Sequence, residues 1–490
     1  MSDHRSPRLP AFSGLLISAL VTAACDMAVD PDERSVAGAG RPPVLLISLD
    51  TLRADAVGSK NSSGASLTPN MDRLAADGIR YPAATTELPF TLPAHMSLLT
   101  GTAPDTHAVF GREDTLPLGV ATLAELLAAA GYATGAVVSS DWLNPAFGFE
   151  RGFGEYVETP VELDYAARIN RRALNFLGKL STTGQPPFLF LHYYDAHSDT
   201  GKGGNRRAYW SPAAQSAELA PACLVGQCVP GDSGVTEGQK TGNAQCATRF
   251  LLWANHNREQ VTAAQRECLA ASYRAGVRAL DIQLGALFAA LESRDLYRRS
   301  LIIVTADHGE EFGEHGQFVH AQTFQETVAI PLIIKLPAQE SAGEIDPRPA
   351  QLADVMPTIL QQLDLPLPET LTGSSLLATS LESPETSLVQ VSQNKHRPRR
   401  YALTVGRWKL IYDFVDQRAR LFDLERDPAE SKDLAGERSD QVDRLKALLD
   451  AHRQRLQAKR AQIDAGAAAD GAGNLSEEAV RRLESLGYVQ

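Results

Sequence analysis

The sequence predicts an α/β protein in which helices cover both faces of a mostly parallel sheet. Two apolar runs without charges, Val44–Leu49 and residues 301–304, have the length and composition of buried parallel strands. Between them, helix signals alternate with further short apolar runs. In one such helix, Thr122 and Glu125 are spaced as a capping box, and Gly131 marks the helix end. This alternation is typical of βαβ units and therefore of a parallel sheet.

Length and composition set limits on the class of protein. A chain of 490 residues can form one large α/β domain with a smaller satellite, or two to four domains. The apolar content of 43% and the charged content of 22% are ordinary for a globular protein with a substantial core. The net charge of −12 argues against a nucleic-acid partner, because phosphate backbones need clustered Lys and Arg. A small anionic substrate stays compatible, because a bound metal ion can reverse the local field.

The first 25 residues have the pattern of a secretory signal. Arg5 and Arg8 precede an apolar run over 11–24 that is too short for a final membrane span. Small residues before Cys25 resemble a bacterial lipoprotein signal, in which Cys25 becomes the lipidated first residue. Residues 26–42 read as a flexible tether. The sequence therefore predicts a bacterial envelope protein on the periplasmic side, touching the membrane only through this lipid, with ordinary secretion as the alternative.

An irregular segment interrupts the predicted domain at 198–250. It is rich in Gly, Ser, Gln and Pro, and a long stretch of this kind in a compact domain is usually a functional loop or lid. When Cys25 is set aside, an even number of cysteines is left: Cys223, Cys228, Cys246 and Cys268. Disulfides are expected in an oxidising compartment, a zinc knuckle is the alternative, and the pairing stays open.

The remaining domain boundaries follow from changes in pattern. We expect a catalytic domain over 43–380 and a smaller C-terminal subdomain over 381–460. Short strands at 401–405, 408–412 and 420–424 predict a small antiparallel sheet, and an amphipathic helix follows them. Residues 461–490 are expected to form a Gly/Ala-rich linker and a terminal helix.

Polar side chains follow the two buried strands where each strand ends. Asp50 ends the first strand, and Asp307 and His308 follow the second, so these side chains should meet at one edge of the sheet. Thr91 lies two residues before Pro93, which predicts a turn that exposes one hydroxyl at a helix N-terminus. Carboxylates and imidazole suit a divalent cation, and a cation can activate an alcohol as a nucleophile. The alternative for Thr91 is a simple helix cap.

These residues lie in four ordered motifs, at 46–53, 68–75, 91–101 and 307–316, and the chain resembles the sulfatase family of the alkaline-phosphatase superfamily. The resemblance implies an alkaline-phosphatase-like three-layer αβα sandwich with a mostly parallel central sheet and a small antiparallel C-terminal subdomain. It also implies one or two divalent metal ions (Ca, Mg, Mn or Zn). The ligands it implies are Asp50, Thr91, Asp307 and His308.

The nucleophile position departs from the typical family pattern. Typical sulfatases carry Cys or Ser there, within a Cys/Ser-x-Pro-x-Arg motif, and oxidise that residue to formylglycine. Thr91 cannot become this aldehyde, and His95 replaces the arginine. The chain resembles in this respect the nucleotide phosphodiesterases and phosphoethanolamine transferases, which use a metal-activated threonine and transfer phosphoryl groups.

Two further histidines enter through the resemblance. His197 follows the predicted strand over 187–191, and in the family a histidine at this place faces the substrate anion. His320 stands where typical sulfatases have a sulfate-binding lysine, and a neutral histidine can protonate a leaving group or ligate a second metal. The predicted catalytic residues are therefore Thr91, His197 and His320. The predicted substrate-binding residues are His95, His197 and His320.

Three functions are compatible with these patterns. The leading one is a metal-dependent hydrolase of a sulfate or phosphate ester, with Thr91 as the nucleophile. Threonine chemistry favours phosphate mono- or diesters, whereas the family resemblance favours sulfate esters, and the ester could be carried by a small molecule, a glycan or a lipid. The alternatives are a phosphoryl-headgroup transferase of the envelope and a non-catalytic binding lipoprotein.

Overall fold

The structure is a computed structural model, and it describes residues 40–61, 63–159, 165–180, 184–198, 250–251, 253–320, 322–378, 386–391 and 400–469, together with the single positions 209, 211, 212 and 219. Every element below belongs to the unit Arg41–Gln490. The predicted signal with Cys25, most of the tether and insert, and the end of the predicted terminal segment lie outside the described residues. Cys268 is disulfide-bonded, and the cysteines available to it lie outside them too.

The strands, numbered in chain order within the described residues, are β1 (Val44–Leu49), β2 (Ile79–Arg80), β3 (Ala84–Thr85), β4 (Ala133–Val138), β5 (Glu155–Glu158), β6 (Pro187–Tyr193), β7 (Leu301–Thr305), β8 (Glu311–Phe312), β9 (Phe318–Val319), β10 (Leu332–Lys335), β11 (Glu344–Ile345), β12 (Ala350–Gln351), β13 (Thr386–Val391), β14 (Arg400–Val405), β15 (Trp408–Asp413) and β16 (Arg418–Asp423). The α-helices are α1 (Pro69–Ala76), α2 (Thr91–Thr100), α3 (Pro104–His107), α4 (Leu123–Ala129), α5 (Tyr165–Leu180), α6 (Ala263–Glu292), α7 (Gln325–Val328), α8 (Val355–Gln362) and α9 (Ser439–Ala469).

The central sheet has eight strands in the order β11-β2-β10-β7-β1-β6-β4-β5. Strand β1 pairs in parallel with β6 on one side and with β7 on the other. Strand β10 is antiparallel to both of its neighbours, β7 and β2. The predicted mostly parallel sheet is therefore confirmed. The predicted capping box of Thr122 and Glu125 also forms, at the start of α4.

The middle of this sheet is covered on both faces. Every residue of β1, β6 and β7 is buried, and successive side chains of a strand point to opposite faces. The three-layer sandwich follows from this pattern. The register sets Ser48 of β1 opposite His192 of β6 and Thr305 of β7. The polar residues that follow these strands are therefore brought to the same edge.

The C-terminal subdomain is an antiparallel sheet of β13-β14-β15-β16, with α9 packed on one face. Leu445, Leu449 and Leu456 of α9 are buried against that face. The helix continues to Ala469, so the linker predicted from residue 461 does not begin there. Alanine has the highest helix propensity, and the alanine-rich stretch extends the helix. No helix within the described residues is long and apolar enough to cross a bilayer.

The opposite face of the C-terminal sheet contacts the catalytic domain around α7. Phe324 and Val328 pack against Ala402, Ile411 and Phe422 of the sheet. A buried ion pair lies beside this contact: Lys409 Nζ is 2.7 Å from Glu430 Oε1.

Two titratable groups of the catalytic domain complete this cluster, because His315 Nε2 is 3.3 Å from Glu326 Oε1. His315, Glu326 and Glu430 lie close enough together to be a candidate cation site. However, the Lys409 ammonium already supplies a positive charge to Glu430. We therefore regard the cluster as a polar contact between the catalytic domain and the C-terminal subdomain.

Glu87 is a buried carboxyl that links the segment before α2 to the segment before α8. Its Oε1 accepts a hydrogen bond of 2.8 Å from the Ala353 backbone N–H. Burial raises the pKa of Glu87 from 4.5 to about 8. The folded state therefore holds a proton that the unfolded state loses above about pH 4.5.

We predict that Glu87→Gln removes part of the loss of stability at alkaline pH. In the parent chain, the contribution of Glu87 is fully present below the unfolded pKa and is lost as the pH rises through about 8. Glutamine keeps the acceptor for the Ala353 N–H and does not ionise. The melting temperature, measured from about pH 5 to 9, should fall less in the variant. The exposed Glu340→Gln variant is the control, and an equal pH dependence in all three proteins would contradict the prediction.

Candidate active site

The strand ends of β1 and β7 bring three predicted ligands together. Asp50, Asp307 and His308 each offer one ligand atom, and these atoms all lie within 4.8 Å of one another. All three side chains are fully buried. The predicted convergence of these residues at one sheet edge is therefore present in the structure.

Asp307 is oriented by backbone donors. Its Oδ1 accepts hydrogen bonds from the Thr51 N–H (3.1 Å) and from the His308 N–H (2.8 Å). Thr51 has a φ of 58°, which is unusual for a β-branched residue and costs backbone energy. Its hydroxyl and carbonyl are fixed by further bonds, to the Ala196 carbonyl and from the Tyr273 hydroxyl. These bonds hold the strained turn, so that Asp307 Oδ2 is left facing the cluster.

His308 and Asp50 are also oriented by hydrogen bonds to neighbouring groups. His308 Nδ1 lies 3.0 Å from the Gly309 carbonyl, which can only accept, so Nδ1 carries the hydrogen and Nε2 keeps a free lone pair. Asp50 Oδ2 lies 3.1 Å from His192 Nε2. His192 Nδ1 accepts from the Ser139 N–H (3.3 Å), so Nε2 is the nitrogen that donates to Asp50.

Three buried ligand atoms have no hydrogen-bond partner among the described residues: Asp50 Oδ1, Asp307 Oδ2 and His308 Nε2. Burial and the charge of Asp307 raise the pKa of Asp50 well above its ordinary value. Burial alone would also raise the pKa of Asp307, but its surroundings, including the hydrogen bond from the Thr51 N–H, lower it. Two carboxylate oxygens and an imidazole lone pair directed at one small space are a donor set that fits a divalent cation.

Thr91 is the first residue of α2, at the positive end of the helix. It is only 1% exposed, so its hydroxyl is not on an open turn as predicted. The Thr91 side chain instead lies close enough to the Asp50 carboxylate to offset part of the rise in the Asp50 pKa. Gly101 ends the helix with a φ of 63°, where a Cβ atom would lie 2.4 Å from Leu371. Both ends of α2 are thereby fixed.

His95 differs from its predicted role in substrate binding. Its Nδ1 lies 2.8 Å from the Thr91 carbonyl and its Nε2 lies 2.8 Å from the Ser48 hydroxyl. Burial lowers the pKa of His95 to about 3, so the ring is neutral. Both ring nitrogens are engaged by the protein, and the side chain is fully buried. His95 therefore ties the first turn of α2 to β1 and has no nitrogen left for a substrate.

His197 and His320 line the part of the cluster that reaches solvent. Their side chains are 11% and 10% exposed, whereas those of Asp50 and Asp307 are fully buried. His197 Nε2 lies 3.8 Å from Asp50 Oδ1, and the rings of His197 and His320 are 5.3 Å apart. The His320 ring is 4.2 Å from that of His308. Both histidines thus lie between the buried cluster and solvent.

Three residues beside the site, Ser48, Thr51 and His192, are not among the predicted site residues, and Glu310 was expected only to support the metal shell or a helix start. Ser48 and His192 are interior strand residues, Thr51 follows β1, and Glu310 follows Gly309. Burial raises the pKa of Glu310 well above its ordinary range, and its Oε2 is 3.8 Å from His320 Nδ1. A polar residue inside an apolar strand was the visible signal for Ser48 and His192. Only the strand register shows what they contact.

Family comparison agrees with this architecture. The sulfatase family model matches residues 42–365, and a model of the C-terminal region of N-sulphoglucosamine sulphohydrolase matches residues 313–461. The first match covers more than half of the chain. The chain therefore belongs to the sulfatase family. Enzymes of this family generally depend on a divalent metal.

Individual relatives match different parts of the chain. Arylsulfatase K of Mus musculus is 32% identical over 188 residues, which cover 34% of this chain and 32% of the relative. The chain thus spans about a third of the length of the arylsulfatase K sequences that it matches. Choline-sulfatase of Rhizobium meliloti (strain 1021) is 24% identical over 442 residues, covering 81% of this chain and 83% of the relative.

Solved structures show the same fold. BT4656, in complex with its substrate D-glucosamine-2-N,6-O-disulfate, superposes with a TM-score of 0.67 at 19% identity, covering 86% of this chain and 99% of that one. The phosphonate monoester hydrolase of Agrobacterium radiobacter superposes with a TM-score of 0.64 at 18% identity, covering 86% and 96%. At these identities the likeness is one of fold.

Gly309 sets the course of the chain after His308. Its N–H donates to the Thr327 carbonyl at 2.8 Å, and a Cβ atom on it would lie 2.0 Å from the Glu326 carbonyl oxygen. No such overlap exists at Gly178, which is exposed on α5 with no atom within 4 Å of a built Cβ.

We predict opposite effects of alanine at these two glycines. Gly309→Ala should lower the free energy of unfolding by about 1–3 kcal/mol, because the backbone must move to relieve the overlap. Gly178→Ala should raise it by about 0.5–1 kcal/mol, because alanine favours the helix. Urea unfolding of both variants measures this, and equal stabilities would contradict the close approach at Gly309.

Proposed function

We propose that the chain is a metal-dependent ester hydrolase in which the Thr91 hydroxyl is the nucleophile. One observation carries the proposal: three unpartnered ligand atoms of the described cluster, Asp50 Oδ1, Asp307 Oδ2 and His308 Nε2, converge next to the Thr91 side chain. The N-cap position of α2 is occupied by Phe90, so Thr91 stands one position inside the helix and is not its capping residue.

Asp50, Asp307 and His308, with Thr91 as a further ligand, would hold the cation. The ion would lower the pKa of the Thr91 hydroxyl and offset the charge that develops on the substrate. His192 would keep Asp50 in its ligating orientation through the 3.1 Å contact, and Thr51 would do the same for Asp307.

The residues at the mouth of the cluster would handle the substrate. Thr91, at the N-terminus of α2, would attack the sulfur or phosphorus atom, with the helix dipole favouring the anionic group there. His197 and His320 would contact the non-bridging oxygens. Burial lowers the pKa of His320 to about 4, so it would donate a hydrogen bond as a neutral ring.

Mechanism favours a phosphate mono- or diester as the substrate. Thr91 cannot provide the aldehyde hydrate that expels sulfate in typical sulfatases, whereas a phosphorylated threonine can be hydrolysed by water. The sulfatase family match supports a sulfate ester. BT4656 is described with a disulfated glucosamine as its substrate, which supports a sulfated or phosphorylated glycan as the carrier of the ester. We also propose that the N-terminal residues are a secretory signal, that Cys25 is lipidated, and that the protein lies in the bacterial envelope.

We predict that Thr91→Val abolishes turnover while the fold is retained. Valine keeps the branched shape but lacks the hydroxyl, so activity should fall by at least about a thousandfold. Thr91→Ser keeps a hydroxyl and should retain part of the activity. The substrates are p-nitrophenyl phosphate, bis-p-nitrophenyl phosphate and p-nitrophenyl sulfate, each with Mg²⁺, Mn²⁺, Zn²⁺ or Ca²⁺. No turnover of any ester by the parent protein, or full activity of Thr91→Val, would refute the mechanism.

His192 offers a separate test of the cation site. Removing an outer hydrogen bond to a metal ligand typically lowers metal affinity about 10–100-fold. We expect this loss in His192→Leu and a smaller one in His192→Gln, whose amide can still donate to Asp50. Chelator competition measures the affinity directly. Equal affinity in His192→Leu and the parent protein would show that Asp50 does not ligate the ion or does not need this support.

A further inference from the structure

A strongly cationic cavity lies between the catalytic domain and the C-terminal sheet. Its volume is about 540 Å³. Four arginines and two glutamines are among its lining residues: Arg258, Arg400, Arg418, Arg420, Gln317 and Gln322. Arg258 precedes α6, and the other arginines belong to β14 and β16. Neither the proposed nucleophile nor the cation site uses any of these side chains.

The register of the C-terminal sheet places its three arginines on one face. Arg400 and Arg418 both pair across the strands with Asp413, and Arg420 pairs with Ile411 two residues away. Residues of matching register or two positions apart share a face of a sheet. The alternate residues of these strands face α9 instead. The sheet therefore presents guanidinium groups towards the catalytic domain.

Among the described residues that line the cavity, the arginines outnumber the carboxylates. Asp413 and Asp416 are the acidic groups among its lining residues, against four guanidinium groups. Arg400 already pairs with Asp413 at 3.0 Å. Burial and then the nearby charge of Arg400 lower the pKa of Arg420, and Asp433 and Glu430 offset part of this shift. Such a concentration of positive charge, in a chain of net charge −12, favours an anion.

The cavity adjoins the catalytic cluster along the chain. Gln317 and Gln322 lie three and two residues from His320 in the sequence, which limits their separation from it to about 11 and 7 Å. Gln322 Nε2 also donates to Glu311 Oε1 at 2.7 Å, which anchors this rim to the segment that follows His308. If the ester of a substrate contacts His320, a neighbouring group of the same substrate could therefore contact the arginines of the cavity.

We propose that this cavity binds a second anionic group of the substrate, a sulfate, phosphate or carboxylate carried near the ester that is cleaved. The ligand is therefore an ester that carries at least one further anionic group, and not a singly charged ester. This inference rests on the proposed function for the position of the scissile ester. Guanidinium groups suit the assignment, because they bind oxyanions through paired hydrogen bonds.

The experiment measures binding directly, so that it does not depend on turnover. A fluorescently labelled heparin tetrasaccharide is titrated into the parent protein, the Arg258→Gln/Arg418→Gln variant and the Arg444→Gln variant. Arg258 and Arg418 are exposed, so their replacement should leave the fold intact. Arg444 is an exposed arginine on α9, on the other side of the C-terminal sheet, and serves as the matched control.

We expect the double variant to bind the tetrasaccharide about tenfold more weakly, because two charge-assisted contacts are lost. Arg444→Gln should bind like the parent protein. In the parent protein, inorganic sulfate and inorganic phosphate should compete far less well than unlabelled tetrasaccharide. Equal binding by the double variant and the parent would overturn the proposal. Equal competition by the free anions would also overturn it, since the cavity would then be a general anion site.

Kinetics separate this inference from the proposed function. If the parent protein hydrolyses p-nitrophenyl esters, the ratio of kcat/KM for a polyanionic substrate to that for the p-nitrophenyl ester should fall about tenfold in the double variant. Turnover with an unchanged ratio would refute the cavity alone. Absence of all turnover, with tetrasaccharide binding still weakened in the double variant, would refute the proposed reaction and leave the cavity supported.

Discussion

Two carboxylates buried at the ends of adjacent strands are the constraint on which the site depends. Asp50 and Asp307 are fully inaccessible, and an uncompensated buried carboxylate costs several kcal/mol even after the protein relaxes. One oxygen of each is satisfied by fixed donors: His192 for Asp50, and two backbone N–H groups for Asp307. The second oxygen of each faces His308 Nε2. This arrangement is well suited to a divalent cation, which would compensate both charges at once.

The surrounding structure keeps this arrangement rigid. Thr51 accepts an unfavourable backbone conformation at the end of β1, where it holds Asp307. His95 bonds to β1 through Ser48 and to α2 through the Thr91 carbonyl, so the nucleophile position is tied to the same strand as Asp50. Because the imidazole rings of His95 and His192 are neutral, they form hydrogen bonds in the site without adding positive charge. Geometry, and not net charge, is therefore what these histidines contribute.

The sequence predicted the ends of the central strands well, because apolar runs that finish in polar residues have few other interpretations. Asp50, Asp307 and His308 were brought together as expected from parallel strands. The roles of His192 and His95 could not be predicted in the same way. They depend on which strands are neighbours and on the register between them, and both involve contacts across more than 40 residues. The φ of Thr51 has no local sequence signal at all, since glycine or asparagine would be the usual choice.

In the C-terminal subdomain, too, some features could be predicted from the sequence and others could not. Short strands separated by charged turns predicted its antiparallel sheet, and β14, β15 and β16 lie close to the expected positions. What this pattern cannot show is which face meets α9 and which meets the catalytic domain. The buried pair of Lys409 and Glu430 and the arginine-lined cavity both lie on the second face. Both features depend on how the C-terminal sheet packs against the catalytic domain, which the sequence pattern does not give.

The most direct test is anomalous diffraction from crystals of the full protein grown with Mn²⁺. The account predicts an anomalous peak about 2.0–2.5 Å from Asp50 Oδ1, Asp307 Oδ2 and His308 Nε2, with the Thr91 hydroxyl directed at the same peak. A cation bound elsewhere, with these three atoms bonded only to water or protein, would contradict it. A Thr91 hydroxyl turned away from a cation at this position would contradict the assignment of the nucleophile.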